Sequence, residues 1–133
     1  MKNNILISIK PEYTNLIELK EKTFEFRNYL IPNIKYMTIY ESNTSCIKYI
    51  MEVSKPICYP NKIDEDGIGN KEFNLGSYKY AYPIVHLKKL EKPITLTEMR
   101  NKYNAFTPQK YVYMDKYPLL NKEINNRNKI DLY

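Results

Sequence analysis

The sequence predicts an α+β fold, a small, mostly antiparallel β-barrel of five or six strands with flanking helices. Three observations lead there. Short runs with two-residue hydrophobic alternation recur between residues 5 and 114, separated by Pro-, Asn-, Ser- or Gly-containing turns. Helix signals are few and short, and one falls directly between the first two strands. The length of 133 residues, 43% hydrophobic and 27% charged, suits a single core that needs no staples. The domain is expected over residues 1–115, with a polar C-terminal tail over 116–133.

In chain order, Ile5, Ile7 and Ile9 fall on one side of a first strand. Pro11 then opens a helix, with Glu12 in its first turn and Lys20 in its last. Tyr13, Leu16, Ile17 and Lys20 give this helix its i, i+3, i+4, i+7 stripe, the lysine through its methylenes. Lys22–Arg27 alternates again, which puts Phe24 and Phe26 on one face of a strand and Thr23, Glu25 and Arg27 on the other. A turn containing Pro32 leads to a third strand over 35–40, and the polar turn 41–45 leads to a fourth over 46–54. Residues 56–77 hold all three glycines and the acidic run Asp64-Glu65-Asp66. They read as a long surface excursion with one short helix around 70–74. Residues 79–90 form the longest strand candidate, and Pro83 within it requires an edge position or a bulge. Thr95 and Glu98 make a capping box for a helix to about Tyr103, burying Leu96, Met99 and Tyr103. A last strand follows over 110–114. The tail holds one short helix and then a polar run, 125–129, expected to be mobile.

Composition excludes several functional classes. No apolar run approaches the ~20 residues that span a bilayer, and Met1–Ile5 lacks the apolar core of a secretory signal, so a cytoplasmic protein with no membrane partner is expected. Cys46, Cys58 and His86 cannot complete a zinc site, and the cysteines read as buried or half-buried thiols. His86 stands in an apolar run and reads as structural. Asp64-x-Asp66 lacks the remaining ligands of a calcium loop. No metal and no cofactor is expected. The net charge of +6 and pI near 9.1 suit a polyanionic partner. The Lys-, Asn-, Ile- and Tyr-rich composition also follows from an AT-rich coding sequence, so the position of charge matters more than its total.

The stretch Lys22-Thr-Phe-Glu-Phe-Arg27 concentrates the chemistry. Arg occurs only at 27, 100 and 127, and here one stands beside a carboxylate. The pattern alone is equally compatible with an exposed strand face carrying an intrachain ion pair.

These residues resemble the ASCH domain, a branch of the PUA-like superfamily, whose signature G-x-K-x-x-E-x-R follows a strand and a helix. Ser8-Ile-Lys-Pro-Glu-Tyr13 and Lys22-x-x-Glu25-x-Arg27 carry the resemblance. Tyr36–Ser42, Lys79–Thr97 and Pro108–Tyr113 continue it over roughly residues 5–114. Lys20 stands where the signature has Gly, which implies either a helix end without a left-handed cap or a narrowed site mouth. The resemblance implies a PUA-like β-barrel with a cleft lined by the signature residues. Its implied biochemistry is RNA or nucleotide binding, with some members acting as hydrolases; a shared fold does not choose between them.

As a binding site the constellation is coherent. Lys22 and Arg27 can hold phosphate, Arg27 in a planar two-pronged contact. Glu25 can orient Arg27 or accept from a base amino group. Tyr13, Tyr40 and Tyr82 are stacking candidates among fourteen tyrosines. Lys10 is either a solvated strand end or a further phosphate contact, Ser42 closes the third-strand segment, and Gln109 could read a base edge. The expected partner is RNA or another nucleic acid or nucleotide, and no catalytic residue is assigned. Relatives that remove an acyl group from a modified cytidine pair the signature Lys with a Thr, but Glu25 occupies that place here and Thr23 is one residue out of phase. Glu25 is also expected to raise the lysine pKa, which disfavours a nucleophilic role. A protein-interaction or inhibitor module of a phage or mobile element is the remaining alternative.

Overall fold

The computed structural model describes residues 3–133. Met1 and Lys2, part of the segment read for a secretory signal, lie outside the described residues. Eight strands and four α-helices follow in the order β1 (Asn4–Ile9), α1 (Pro11–Glu18), β2 (Phe24–Arg27), β3 (Tyr36–Glu41), β4 (Cys46–Val53), β5 (Ile57–Cys58), α2 (Asn70–Asn74), β6 (Tyr80–Thr95), α3 (Leu96–Tyr103), β7 (Tyr111–Tyr113), a 3₁₀ turn (Met114–Lys116), α4 (Pro118–Asn126) and β8 (Lys129–Asp131). The main sheet runs β2-β6-β4-β3-β1-β7, and the short strands β5 and β8 also pair with β6. Six strands in that order curl into a half-barrel, in agreement with the α+β, PUA-like expectation. The β1–β3 pairing is parallel; the other described pairings are antiparallel.

Strand β6 makes the curl possible. Its first residues pair with β2 through Phe24–Pro83, Glu25–Tyr82, Phe26–Ala81 and Arg27–Tyr80. From Ile84 onward it pairs with β4 instead, with a register shift where Val53 faces Ile84 and Glu52 faces His86. The extra residue, Val85, is a bulge that turns the strand from one partner to the other. Pro83 sits at this turning point, as its missing N–H requires.

Two cores lie on opposite faces of the sheet. Ile5, Ile7, Ile9, Met37, Ile39, Tyr49, Met51 and Leu87 pack with Ile17 of α1. Leu6, Tyr40, Ile47, Leu90 and Ile94 pack with Met99, Leu120 and Ile124 from α3 and α4. β1 is therefore covered on both sides, and Leu6 is as buried as its isoleucine neighbours. A third cluster joins Phe24, Phe26 and Ala81 to Ile63 and Phe73 from the 56–77 segment. That segment is more than a surface excursion. The side-chain amide of Asn74 clamps the Ile63 backbone, accepting from its N–H and donating to its carbonyl, both at 2.8 Å. Gly69 has φ +88°, and a Cβ there would stand 2.5 Å from the Phe26 ring.

The tail departs most from expectation. The polar run 125–129 ends α4 and enters β8, which pairs with Lys88–Leu90 of β6. Arg127 holds it by ion pairs to Glu123 at 2.8 Å and Glu98 at 3.1 Å and by hydrogen bonds to the Lys92 and Pro93 carbonyls. Tyr133 then donates to the Ile17 carbonyl at 2.6 Å, tying the last residue to α1. Among the described residues no helix is long and apolar enough to cross a membrane, and no His, Cys, Asp and Glu cluster could hold a metal.

Candidate functional site

Helix α1 links the two strands that build the site. It ends at Glu18, and Lys20 adopts the left-handed conformation, φ +61°. The Lys20 N–H donates to Ile17 O and the Glu21 N–H to Leu16 O, the paired bonds of a Schellman cap. The expectation of a helix without a left-handed cap is thus corrected: Lys20 takes the conformation a glycine would adopt more easily. Its ammonium lies 4.6 Å from the centre of the Tyr133 ring. Thr14 and Ile17, rather than Tyr13 and Lys20, form the buried side of the helix, and Tyr13 is 43% exposed.

The chain then turns at Lys22 into β2. A cavity of about 220 Å³ opens there, lined by Ser8, Ile9, Lys10, Tyr13, Lys22, Glu25, Phe26, Arg27 and Tyr78. Lys22 is only 5% exposed. Its ammonium donates to the Phe24 carbonyl at 2.5 Å, stands 3.3 Å from Glu25 Oε1 and lies 4.4 Å from the Phe26 ring centre. Arg27 Nη2 meets the other oxygen of Glu25 at 3.2 Å, while Arg27 Nε is buried without a partner. One carboxylate is therefore shared by two cations, and Lys10 adds an exposed third. Burial pushes the Lys22 pKa below its ordinary value, with Arg27 acting in the same direction and Glu25 opposing. Glu25 acts upward, as expected, but desolvation outweighs the ion pair and the net shift is downward. The arrangement offers anion-binding donors against an aromatic wall, since Phe26 and Tyr78 are stacked with ring centres 5.1 Å apart.

Five of the nine expected residues, Lys10, Tyr13, Lys22, Glu25 and Arg27, thus meet in one cavity. The others do not line it. Tyr40 is packed in the second core. Tyr82 is fully buried in the first, where its hydroxyl accepts from the Ile31 N–H at 2.8 Å and burial raises its pKa. Ser42 is half-buried beside the cavity wall, its N–H donating to Ile9 O. Gln109 is exposed just before β7. Thr23 is not part of the lining; its hydroxyl is buried without a partner, near Gly67 and Asn70. Phe26, expected only as a core anchor, and Tyr78, which no sequence signal singles out, also wall the cavity. Tyr78 reaches the site only because β6 runs antiparallel to β2, a pairing of distant segments with no local signal.

A second buried charge also escaped the sequence reading. Glu41, expected in a polar turn, is the last residue of β3 and 1% exposed. It accepts from the Thr14 and Thr44 hydroxyls at 2.5 and 2.7 Å, with Lys48 Nζ at 3.5 Å. These partners outweigh burial and hold its carboxyl below the usual glutamate range. Cys58 and His86 are exposed rather than packed, while Cys46 is half-buried.

The chain resembles crystal structures of the ASCH protein from Zymomonas mobilis. It superposes at TM-score 0.69 and 17% identity, over 96% of this chain and 98% of that one. A serine-to-alanine variant of that protein gives 0.68 at 18% identity, over 96% and 98% of the two chains. A tyrosine-to-phenylalanine variant gives 0.68 at 16%, over 95% and 99%. The fold is of the ASCH type. No family model and no curated protein matches the sequence. At this identity the likeness covers the ASCH-type architecture, and function has to be argued from the cavity beside β2.

Proposed function

We propose that this ASCH-type domain binds RNA, or a nucleotide of the kind RNA is built from, in the cavity beside β2, as a cytoplasmic binding module. The observation that carries the reading is the sharing of Glu25 by Lys22 and Arg27 at the bottom of a cavity with aromatic walls. A phosphate or a base carbonyl supplies acceptors for the guanidinium N–H groups of the partly exposed Arg27 that Glu25 leaves unused. Tyr78, Phe26 and Tyr13 provide faces and edges for the base. The volume suits one base or one phosphate group rather than a large cofactor. Lys22→Ala and Arg27→Ala are each expected to weaken binding of a labelled single-stranded RNA about 10- to 100-fold. Wild-type affinity should fall steeply with salt. Binding indifferent to both substitutions and to salt sinks the reading.

The depressed Lys22 pKa supports a second reading, in which its neutral amine assists hydrolysis of an acylated nucleoside. The placement of Thr23 outside the cavity weighs against the Lys–Thr pairing of acyl-cytidine hydrolases. Turnover of an N4-acylated cytidine, followed by chromatography and lost in Lys22→Ala, distinguishes it from binding alone.

A further inference from the structure

Two chain segments leave the cavity and converge on one surface. Two residues beyond Arg27 of the cavity stands Tyr29, stacked on Tyr111 with ring centres 5.7 Å apart and planes 20° from parallel. Tyr111 faces Ile7 in the β1–β7 ladder. One step past that pair, β1 runs into the cavity residues Ser8 and Ile9, while β7 is preceded by Lys110. Tyr113 continues the row edge-on to Tyr111 at 5.8 Å and donates to the Pro32 carbonyl. Lys110, exposed, holds its ammonium 5.3 Å from the centre of the Tyr29 ring. β7 is the last strand of the sheet order, and the three rings are half-buried, their inner parts packed on the first core. Segments 28–35 and 105–114 contain Lys35 and Lys110 and no Asp or Glu.

We infer that this tyrosine row with Lys110 is a second contact surface continuous with the cavity, so that the ligand is a single-stranded polynucleotide rather than a free mononucleotide. The inference rests on the binding reading above. One nucleotide occupies the cavity, the next phosphate meets Lys110, and the next base lies against the Tyr29–Tyr111 stack. Stacked rings beside Lys110, on two segments without Asp or Glu, match the alternation of bases and phosphates along a strand, whereas an acidic peptide offers charge without the flat rings.

The test measures two ligands: a short labelled single-stranded RNA by fluorescence anisotropy, and uridine monophosphate by NMR titration. Lys110→Glu and Tyr29→Leu are each expected to weaken the RNA about tenfold while leaving the monophosphate unchanged. Lys110→Ala should lower the salt slope of RNA binding by about one. Lys22→Ala should weaken both ligands. A single-stranded DNA of the same sequence is expected to lose the same factor, because stacking and phosphate contact do not use the 2′-hydroxyl. RNA that binds no tighter than the monophosphate, or is unaffected by Lys110→Glu, overturns the inference and leaves the cavity reading standing. If neither ligand binds the wild type, both fall. Should Tyr29→Leu fail to fold by circular dichroism, the surface variants at Lys110 still decide.

Discussion

The molecule buries two glutamates of nearly equal exposure, and they are equipped in opposite ways. Glu41 is surrounded by two neutral hydroxyls and one lysine, which together satisfy a single anion. Glu25 faces two cations, one of them fully lodged inside the fold and the other with a donor left over. In the first cluster one cation and two hydroxyls meet one carboxylate; in the second two cations share one carboxylate, which leaves the excess positive charge on which the binding proposal rests. On the proposed reading, the first is a fastening and the second a receptor. Glu41 ties the start of α1 to β3 through Thr14, while Glu25 pairs with both Lys22 and Arg27 in the lining of the cavity.

The sharpest way to break this comparison is Glu41→Gln. A neutral amide keeps the shape but supplies one acceptor and adds donors where Thr14, Thr44 and Lys48 already donate. The expected loss is about 2–3 kcal/mol of folding stability, read from urea denaturation. Affinity for RNA should stay within about twofold, since none of the displaced bonds faces the cavity. A loss of binding at full stability would show that Glu41 belongs to the receptor. The pH dependence adds a check. The carboxyl of Glu41 is depressed in the folded state, so its stabilisation is complete above the unfolded value of about 4.3. It is lost as pH falls through the lower folded value, and the variant should lack that acid limb.

Why one cluster was legible in the sequence and the other was not follows from the same contrast. Lys22, Glu25 and Arg27 lie within six residues: a two-residue period puts Glu25 and Arg27 on one face, and Lys22 stands just before the strand. Glu41 takes its partners from α1, from the turn after β3 and from β4, and in sequence it looked like part of a polar turn. Local rules also placed the α3 capping box and the short α2 helix correctly. They failed where a distant segment decides the environment. Tyr40 and Tyr82 looked available for stacking but are sealed by strands and helices from elsewhere in the chain. The polar 125–129 run looked mobile because nothing nearby announces that Arg127 will find Glu98 and that β6 is long enough to receive another strand.

A smaller effect sharpens the receptor side. Because Lys22 titrates below 10.5, its positive charge should be lost earlier than that of an ordinary lysine as pH rises. RNA or monophosphate affinity should therefore decline with rising pH on the alkaline side before surface lysines titrate. Lys22→Arg, which keeps its charge throughout, should flatten that decline even if its overall affinity is lower. Folding stability of the unliganded wild type should move the other way. The folded state sheds the proton first, so stability rises between the folded value and 10.5. An affinity profile identical in wild type and Lys22→Arg would remove Lys22 from the binding step.

The smallest expected effect concerns the element that joins the two clusters. Helix α1 begins beside Glu41 and ends at Glu18, four residues before Lys22, and its end is set by Lys20 in a left-handed conformation. That conformation costs a non-glycine residue about 1 kcal/mol, while the Lys20–Tyr133 cation–π contact returns about 0.5–1 kcal/mol at an exposed site. Lys20→Gly alone should consequently change stability by less than about 0.5 kcal/mol. In a Tyr133→Leu background the contact is already gone, and Lys20→Gly should stabilise by about 1 kcal/mol. A double-mutant cycle in urea measures this difference. If glycine stabilises equally in both backgrounds, the C-terminal tyrosine does not compensate the cap. Its link to α1 then rests on the hydrogen bond to Ile17 alone.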